Sequence, residues 1–150
     1  MPNAQGITAL TQQQSSRPPT IVDLEWESDL RLKATAGENR LILDSNGAAG
    51  VSPMQALALA IAGCMAMDLV HILRKGRHDL RGLRVRLTGQ RAPEEPRRFT
   101  AIALHFAITG AVPTEQIQRA VDLSREKYCS VWNSMRQDIA LEVTHEITGG

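Results

Sequence analysis

Aromatic side chains are scarce in this chain, with two Trp, two Phe and one Tyr making up 3% of 150 residues. Since 43% of the residues are nevertheless hydrophobic, the core must be built from aliphatic side chains. Cysteine is also sparse: the two present, Cys64 and Cys129, are too few for the disulfide framework of a small secreted scaffold. Neither sign of charge dominates, with 17 Lys and Arg against 16 Asp and Glu, so no global field calls for a nucleic acid or an acidic partner. No run reaches the roughly 18 consecutive apolar residues of a membrane span. The opening stretch lacks both the basic start and the apolar run of a secretory signal. It is polar instead, passing through Gln12-Gln13-Gln14-Ser15-Ser16 to Pro18-Pro19. These absences lead to the expectation of a soluble, cytoplasmic protein, with a flexible or disordered tail over residues 1–19 and a single domain over residues 20–150.

From Thr20 onward the pattern changes. Ile21 to Trp26, Leu30 to Ala34 and Arg40 to Asp44 carry the period-2 alternation of half-buried strands. Turns at Glu27-Ser28-Asp29 and Gly37-Glu38-Asn39 make them an antiparallel meander. Ser52 suits an N-cap and Pro53 a first helical position, where its missing N–H costs nothing. The helix they open runs to Arg74-Lys75, with Gly76 expected as its cap. Its first fourteen residues after Pro53 are apolar nearly all round, Gln55 excepted. A helix apolar on every side must be covered on every side, which one short meander can hardly do, so a dimer is expected. Strands follow at 83–87 and 100–108, then a helix over 113–128, a short helical turn over 129–135 and a final strand over 139–147. The order is β-β-β-α-β-β-α-α-β.

Few residues stand out chemically. Cys64 follows Ala62-Gly63, small residues that leave room beside its sulfur, and Cys129 falls where one helix gives way to the next. Buried cysteines often serve as small hydrophobes; placement at two special positions points instead to a reactive pair. Asp68 and His71 lie four and seven positions beyond Cys64, on one helix face. A Cys–His nucleophile is one reading of them; the plainer one is that both mark where the helix reaches solvent. Cys64, His71, Cys129 and His145 have no short ligand spacing, so no metal site is expected. The basic residues Arg74, Lys75, Arg77, His78, Arg81, Arg84 and Arg86 lack interleaved aromatics or a nucleic-acid motif. They read as a dipole-matched helix end followed by a strand with Arg84 and Arg86 facing solvent. Met54, Met65 and Met67 are core residues or the lining of an apolar pocket.

The stretch Ser52-Pro-Met-Gln-Ala-Leu-Ala-Leu-Ala-Ile-Ala-Gly-Cys64 resembles the central-helix motif of the OsmC/Ohr family (osmotically inducible and organic hydroperoxide resistance proteins). The likeness continues through Val70-His-Ile-Leu-Arg-Lys-Gly-Arg77. It resumes over Arg119-Ala-Val-Asp-Leu-Ser-Arg-Glu-Lys-Tyr-Cys-Ser-Val131, where the family places its second cysteine, and it covers roughly residues 20 to 147.

The resemblance implies an α+β fold with antiparallel sheets packed around a long central helix in an intertwined homodimer. It also implies a cysteine-based peroxidase with peroxiredoxin-like chemistry and a role in the oxidative stress response. Cys64 would attack a small-molecule hydroperoxide, organic rather than hydrogen peroxide, and Cys129 would resolve the sulfenic acid to a redox-active disulfide. A dithiol reductant would reset the pair, with no cofactor, metal, nucleic acid or membrane involved. One departure matters. The family's helix-initial Glu, which helps to hold an activating Arg near the reactive sulfur, falls on Met54, and the next residue is Gln55. Arg31 and Arg40 are the candidate cations to activate the thiolate. The alternative is a non-catalytic protein of the same fold that binds a small apolar ligand at its dimer interface. A redox pair further requires Cys64 and Cys129, 65 positions apart, to come within reach of each other, with a cation near the Cys64 sulfur.

Overall fold

The computed structural model describes residues 17–149. Most of the expected tail, residues 1–16, therefore lies outside the described residues. The chain forms two compact units, one reaching Pro53 and the other beginning at Met54.

The first unit is the meander read from the sequence. Strands β1 (Asp23–Ser28), β2 (Arg31–Ala36) and β3 (Asn39–Asp44) form an antiparallel sheet in that order. The register sets Leu24 opposite Ala34 and Ala34 opposite Leu41, with Trp26 opposite Leu32 and Leu32 opposite Leu43. Because side chains alternate faces along a strand, these apolar residues share one face. Asp44 ends β3 as a buried carboxylate and organises the loop beyond it. It accepts hydrogen bonds from the backbone N–H of Asn46 and Ala49, each at 3.0 Å, and pairs with Arg31 Nη2 at 3.6 Å. The loop closes tightly against the sheet, so that a Cβ added at Gly50 would sit 2.0 Å from the Ile42 carbonyl oxygen.

The amides of Ala49 and Asn46, followed by Arg31, hold the Asp44 carboxyl below the usual carboxylate range. A depressed folded pKa means that its contribution is complete above the ordinary carboxylate value and is lost as pH falls through the depressed one. The loop over residues 45–50 is thus expected to keep its structure from neutral pH down through the ordinary carboxylate range, and to loosen only below it. NMR shifts of the Asn46 and Ala49 amides measure this, and Asp44→Asn should loosen the loop at every pH.

The second unit is a helix-backed sheet. Helix α1 (Pro53–Lys75) precedes β4 (Asp79–Arg91) and β5 (Phe99–Ala111). These strands run well beyond the spans of alternation in the sequence and pair antiparallel over most of their length. Helix α2 (Thr114–Leu123), a π-helical turn (Ser124–Tyr128) and the short α3 (Ser130–Asn133) then return the chain to β6 (Ala140–Thr148). Because the connection is a helical crossover, β6 joins β5 in parallel, giving the order β4-β5-β6.

Alternate residues of β5 (Phe99, Ile102, Leu104, Phe106 and Ile108) are buried, although Phe99 and Ile102 fall three apart. They join Ile117, Ala120 and Val121 of α2, and Trp132 and Ile139, in one core. Helix α1 contributes Ile61, Met65, Leu69 and Leu73, one residue from each successive turn. By length and composition alone α1 is apolar enough to cross a membrane. A stripe at four-residue spacing that enters a mixed core is, however, the habit of a core helix. The stripe is narrow: Leu59 and Met67 remain 62% and 73% exposed.

The end of α1 differs from expectation in one detail. The left-handed residue of the cap is Arg77, with φ 59°, and not Gly76. His78 N–H donates to the Leu73 carbonyl and Arg77 N–H to that of Arg74, closing a Schellman motif one residue later than the glycine suggests. Gly76 has a different reason to be small, since a Cβ there would lie 2.9 Å from the His78 ring.

Candidate dithiol site

Two elements of the second unit build the site. Cys64 lies on the part of α1 whose neighbours are small, and it is half-buried. A Cβ at Gly63 would meet nothing within 4 Å, so the backbone beside this cysteine is open. One turn on, Asp68 is on the same face. Across from them the chain leaves α2 through the π-helical turn, whose wider winding closes with the Cys129 N–H donating to the Ser124 carbonyl at 2.7 Å. Cys129 itself is extended, with φ −70° and ψ 98°, and serves as N-cap of α3. Its sulfur accepts the Trp132 N–H at 3.3 Å. It is fully buried.

The reading of Cys129 as a helix break thus holds, and the break has a structural cause. The π turn ends the helix and turns the cysteine toward α1. The two sulfurs and an Asp68 carboxylate oxygen all lie within 4.8 Å of one another. Both cysteines are free thiols, close enough for a small movement to join them. Burial pushes the Cys129 thiol up to about 11, and the neighbouring Cys64 and Asp68 push in the same direction, against the Trp132 N–H. Of the two sulfurs, Cys64 is therefore the accessible one and Cys129 the protected one.

Asp68 requires a correction. It does not simply mark where α1 reaches solvent, because the buried Ser124 hydroxyl donates to its Oδ2 at 2.7 Å. His71 does fit that description, being exposed. It lines a cavity of about 560 Å³ together with Asp68, Lys75, Arg119, Leu123 and Tyr128. Neither His71 nor His145 joins the Cys64–Asp68–Cys129 group. His145 sits on β6 opposite Phe106. Nothing in the spacing of the sequence singles out Ser124, because its contact with Asp68 spans 56 positions and depends on the π turn.

The two candidate cations belong to the first unit. Arg31 opens β2 and pairs with Asp44, leaving a buried Nε without a hydrogen-bond partner. Arg40, on β3, lies opposite Thr35. Met54 begins the second unit, half-buried against the core. Of the basic cluster, Arg84 and Arg86 are exposed on β4. Met65 is core, while Met67 is exposed.

A mixed fold of two three-stranded sheets and one long helix, with a cysteine on that helix facing a second at a helix break, defines a class of protein. Over residues 45–144 the chain matches the family described as OsmC-like protein. It is 42% identical over 125 residues to protein YhfA of Escherichia coli K12, covering 81% of this chain and 92% of that one. A protein of Aquifex aeolicus VF5 has a similar structure, with a TM-score of 0.83 at 26% identity over 89% of this chain and 99% of the other. An organic hydroperoxide resistance protein OsmC of Legionella pneumophila shares the fold, with a TM-score of 0.66 at 17% identity over 88% and 99% of the two chains. The chain belongs to the OsmC-like family.

Proposed function

We propose that this protein is a cytoplasmic, thiol-dependent hydroperoxide reductase in which Cys64 is the peroxidatic nucleophile and Cys129 the resolving thiol. The observation that carries the reading is the approach of the two free sulfurs to within 4.8 Å, one from the long helix and the other from the break between two helical turns. The family includes proteins named for organic hydroperoxide resistance. In the first step the Cys64 thiolate attacks the terminal oxygen of an organic hydroperoxide. An S–O bond forms as the O–O bond breaks, and the alkoxide leaves, taking up a proton to become the alcohol. Cys64 is then a sulfenic acid. The Cys129 sulfur attacks the Cys64 sulfur, its proton goes to the departing hydroxide, and water leaves as the S–S bond forms. An external dithiol reduces the pair and is itself oxidised to a disulfide.

A cation is needed to favour the Cys64 thiolate. In this reading the cation is Arg31 or Arg40. Met54 offers no carboxylate to hold such a cation; Arg31 is held by an ion pair to Asp44. Treatment of the reduced protein with an organic hydroperoxide is expected to give one intramolecular disulfide linking Cys64 and Cys129, read by peptide mass mapping. Retention of both free thiols after excess hydroperoxide would remove the basis of the reading.

The working unit in this proposal is a homodimer. Leu59 and Met67 stand exposed on α1, as do Leu24, Trp26 and Leu41 on one face of the first sheet, and such apolar surface mostly marks an interface. Met67→Glu is therefore expected to shift the protein from dimer to monomer in sedimentation velocity. A wild type that sediments as a folded monomer would contradict the assembly. The same apolar surface, with Met54 in place of an acid, favours a second reading: a non-catalytic protein that binds a small apolar ligand at the dimer interface. Hydroperoxide turnover separates the two.

A further inference from the structure

The group formed by Cys64, Asp68 and Cys129 has a donor set as well as a redox pair. We propose that the reduced protein binds one zinc ion through the sulfurs of Cys64 and Cys129 and a carboxylate oxygen of Asp68.

The geometry comes first. Three ligand atoms from three side chains lie within 4.8 Å of one another. Around a tetrahedral zinc, with sulfur at about 2.3 Å and carboxylate oxygen at about 2.0–2.2 Å, donors stand roughly 3.5–3.8 Å apart. From separations of up to 4.8 Å the site thus needs to contract by roughly 1.0–1.3 Å at most, a change that rotation of these side chains supplies. Cys64 and Asp68, one turn apart on a well-formed helix, offer two ligands on one rigid face. Cys129 supplies the third from the N-cap of α3.

The surroundings fit a metal as well. Outer contacts that orient ligands are a regular part of metal sites. Here Ser124 Oγ donates to Asp68 Oδ2 at 2.7 Å, which fixes the orientation of the carboxylate. The Trp132 N–H donates to the Cys129 sulfur at 3.3 Å, a bond that a coordinated thiolate still accepts. Two thiolates select zinc over magnesium or calcium, which take oxygen donors. With three protein ligands and Cys64 only half-buried, a fourth position is left for water.

Binding replaces two S–H bonds by two Zn–S bonds and releases two protons to solvent. Formation of the Cys64–Cys129 disulfide consumes both sulfur ligands, so the metal-bound and disulfide states exclude each other. The inference rests on the placement of the donors and stands whether or not Cys64 reduces hydroperoxides.

The test uses the full chain with its thiols reduced, titrated with Zn²⁺ against a chromophoric chelator and, separately, with Co²⁺ as a spectroscopic stand-in. One equivalent of zinc bound more tightly than about 1 µM is expected, with a thiolate-to-cobalt charge-transfer band and the visible spectrum of a tetrahedral ion. The disulfide form should bind none. Asp68→Asn keeps the size of the side chain and should weaken zinc binding by about tenfold or more. Cys64→Ser and Cys129→Ser should each reduce the charge-transfer intensity. Failure of the reduced wild type to hold zinc at micromolar concentration, or equal zinc affinity of wild type and Asp68→Asn, would overturn the site. No hydroperoxide enters the experiment, so its failure and that of the peroxidase reading are separate results.

Discussion

Cys64→Ser is expected to abolish hydroperoxide turnover, while Cys129→Ser should leave a single oxidation at Cys64. The physical reason is that the proposed cycle gives the two sulfurs different work. The half-buried Cys64 can meet a substrate, whereas Cys129 is fully buried and its thiol is pushed up to about 11. In the proposed cycle Cys129 acts only on a partner already delivered to it, the neighbouring sulfur of Cys64 on α1. A serine hydroxyl at position 64 cannot be oxidised in this way, so turnover with a dithiol reductant should fall by about 10³-fold or more. Serine at 129 leaves the first step intact. A sulfenic acid then accumulates, is trapped by a dimedone-type reagent, and advances to sulfinic acid under excess hydroperoxide. Equal turnover by wild type and Cys64→Ser would end the enzymatic reading.

The largest expected effect on stability comes from Phe106. It lies at the middle of β5 with no exposed surface, in the core shared with Leu69, Ile117 and Trp132. Aromatics are so few in this chain that aliphatic side chains form most of its surroundings. Phe106→Ala is expected to cost about 3–5 kcal/mol through lost burial and the cavity left behind. For a chain of this size each kcal/mol lowers the melting temperature by about 2–4 °C, a loss of roughly 6–20 °C. Calorimetry measures it. Leu59→Ala is the contrasting case: with Leu59 62% exposed, any comparable cost must come from a surface covered on association. A dependence of that cost on protein concentration would show it.

The strands, the long helix and their order were legible because each rests on a local rule. The alternation over Leu30–Ala34 and the Ser52-Pro53 start belong to neighbouring residues and need no tertiary information. The apolar residues around α1 likewise announce more surface than one chain covers. Strand ends were less legible: β4 and β5 outrun their alternating centres because pairing with each other extends both. The helix cap moved from Gly76 to Arg77, since the next turn of backbone, and not the glycine, decides where the left-handed residue falls.

For the site, the sequence alone determined which two sulfurs there are, that one stands on a long apolar helix among small residues, and that the other stands at a break. Tertiary structure alone decided that they meet. It also decided that Asp68 turns inward beside them while His71 stays exposed. Both residues share a helix face with Cys64, so periodicity treats them alike. What separates them is the π turn at Ser124–Tyr128, which brings one buried hydroxyl to Asp68 and none to His71. An i to i+5 closure of this kind leaves no mark in apolar spacing, because it shifts the chain by a single residue within one turn. That one residue sets the Ser124–Asp68 hydrogen bond and the position of the Cys129 sulfur.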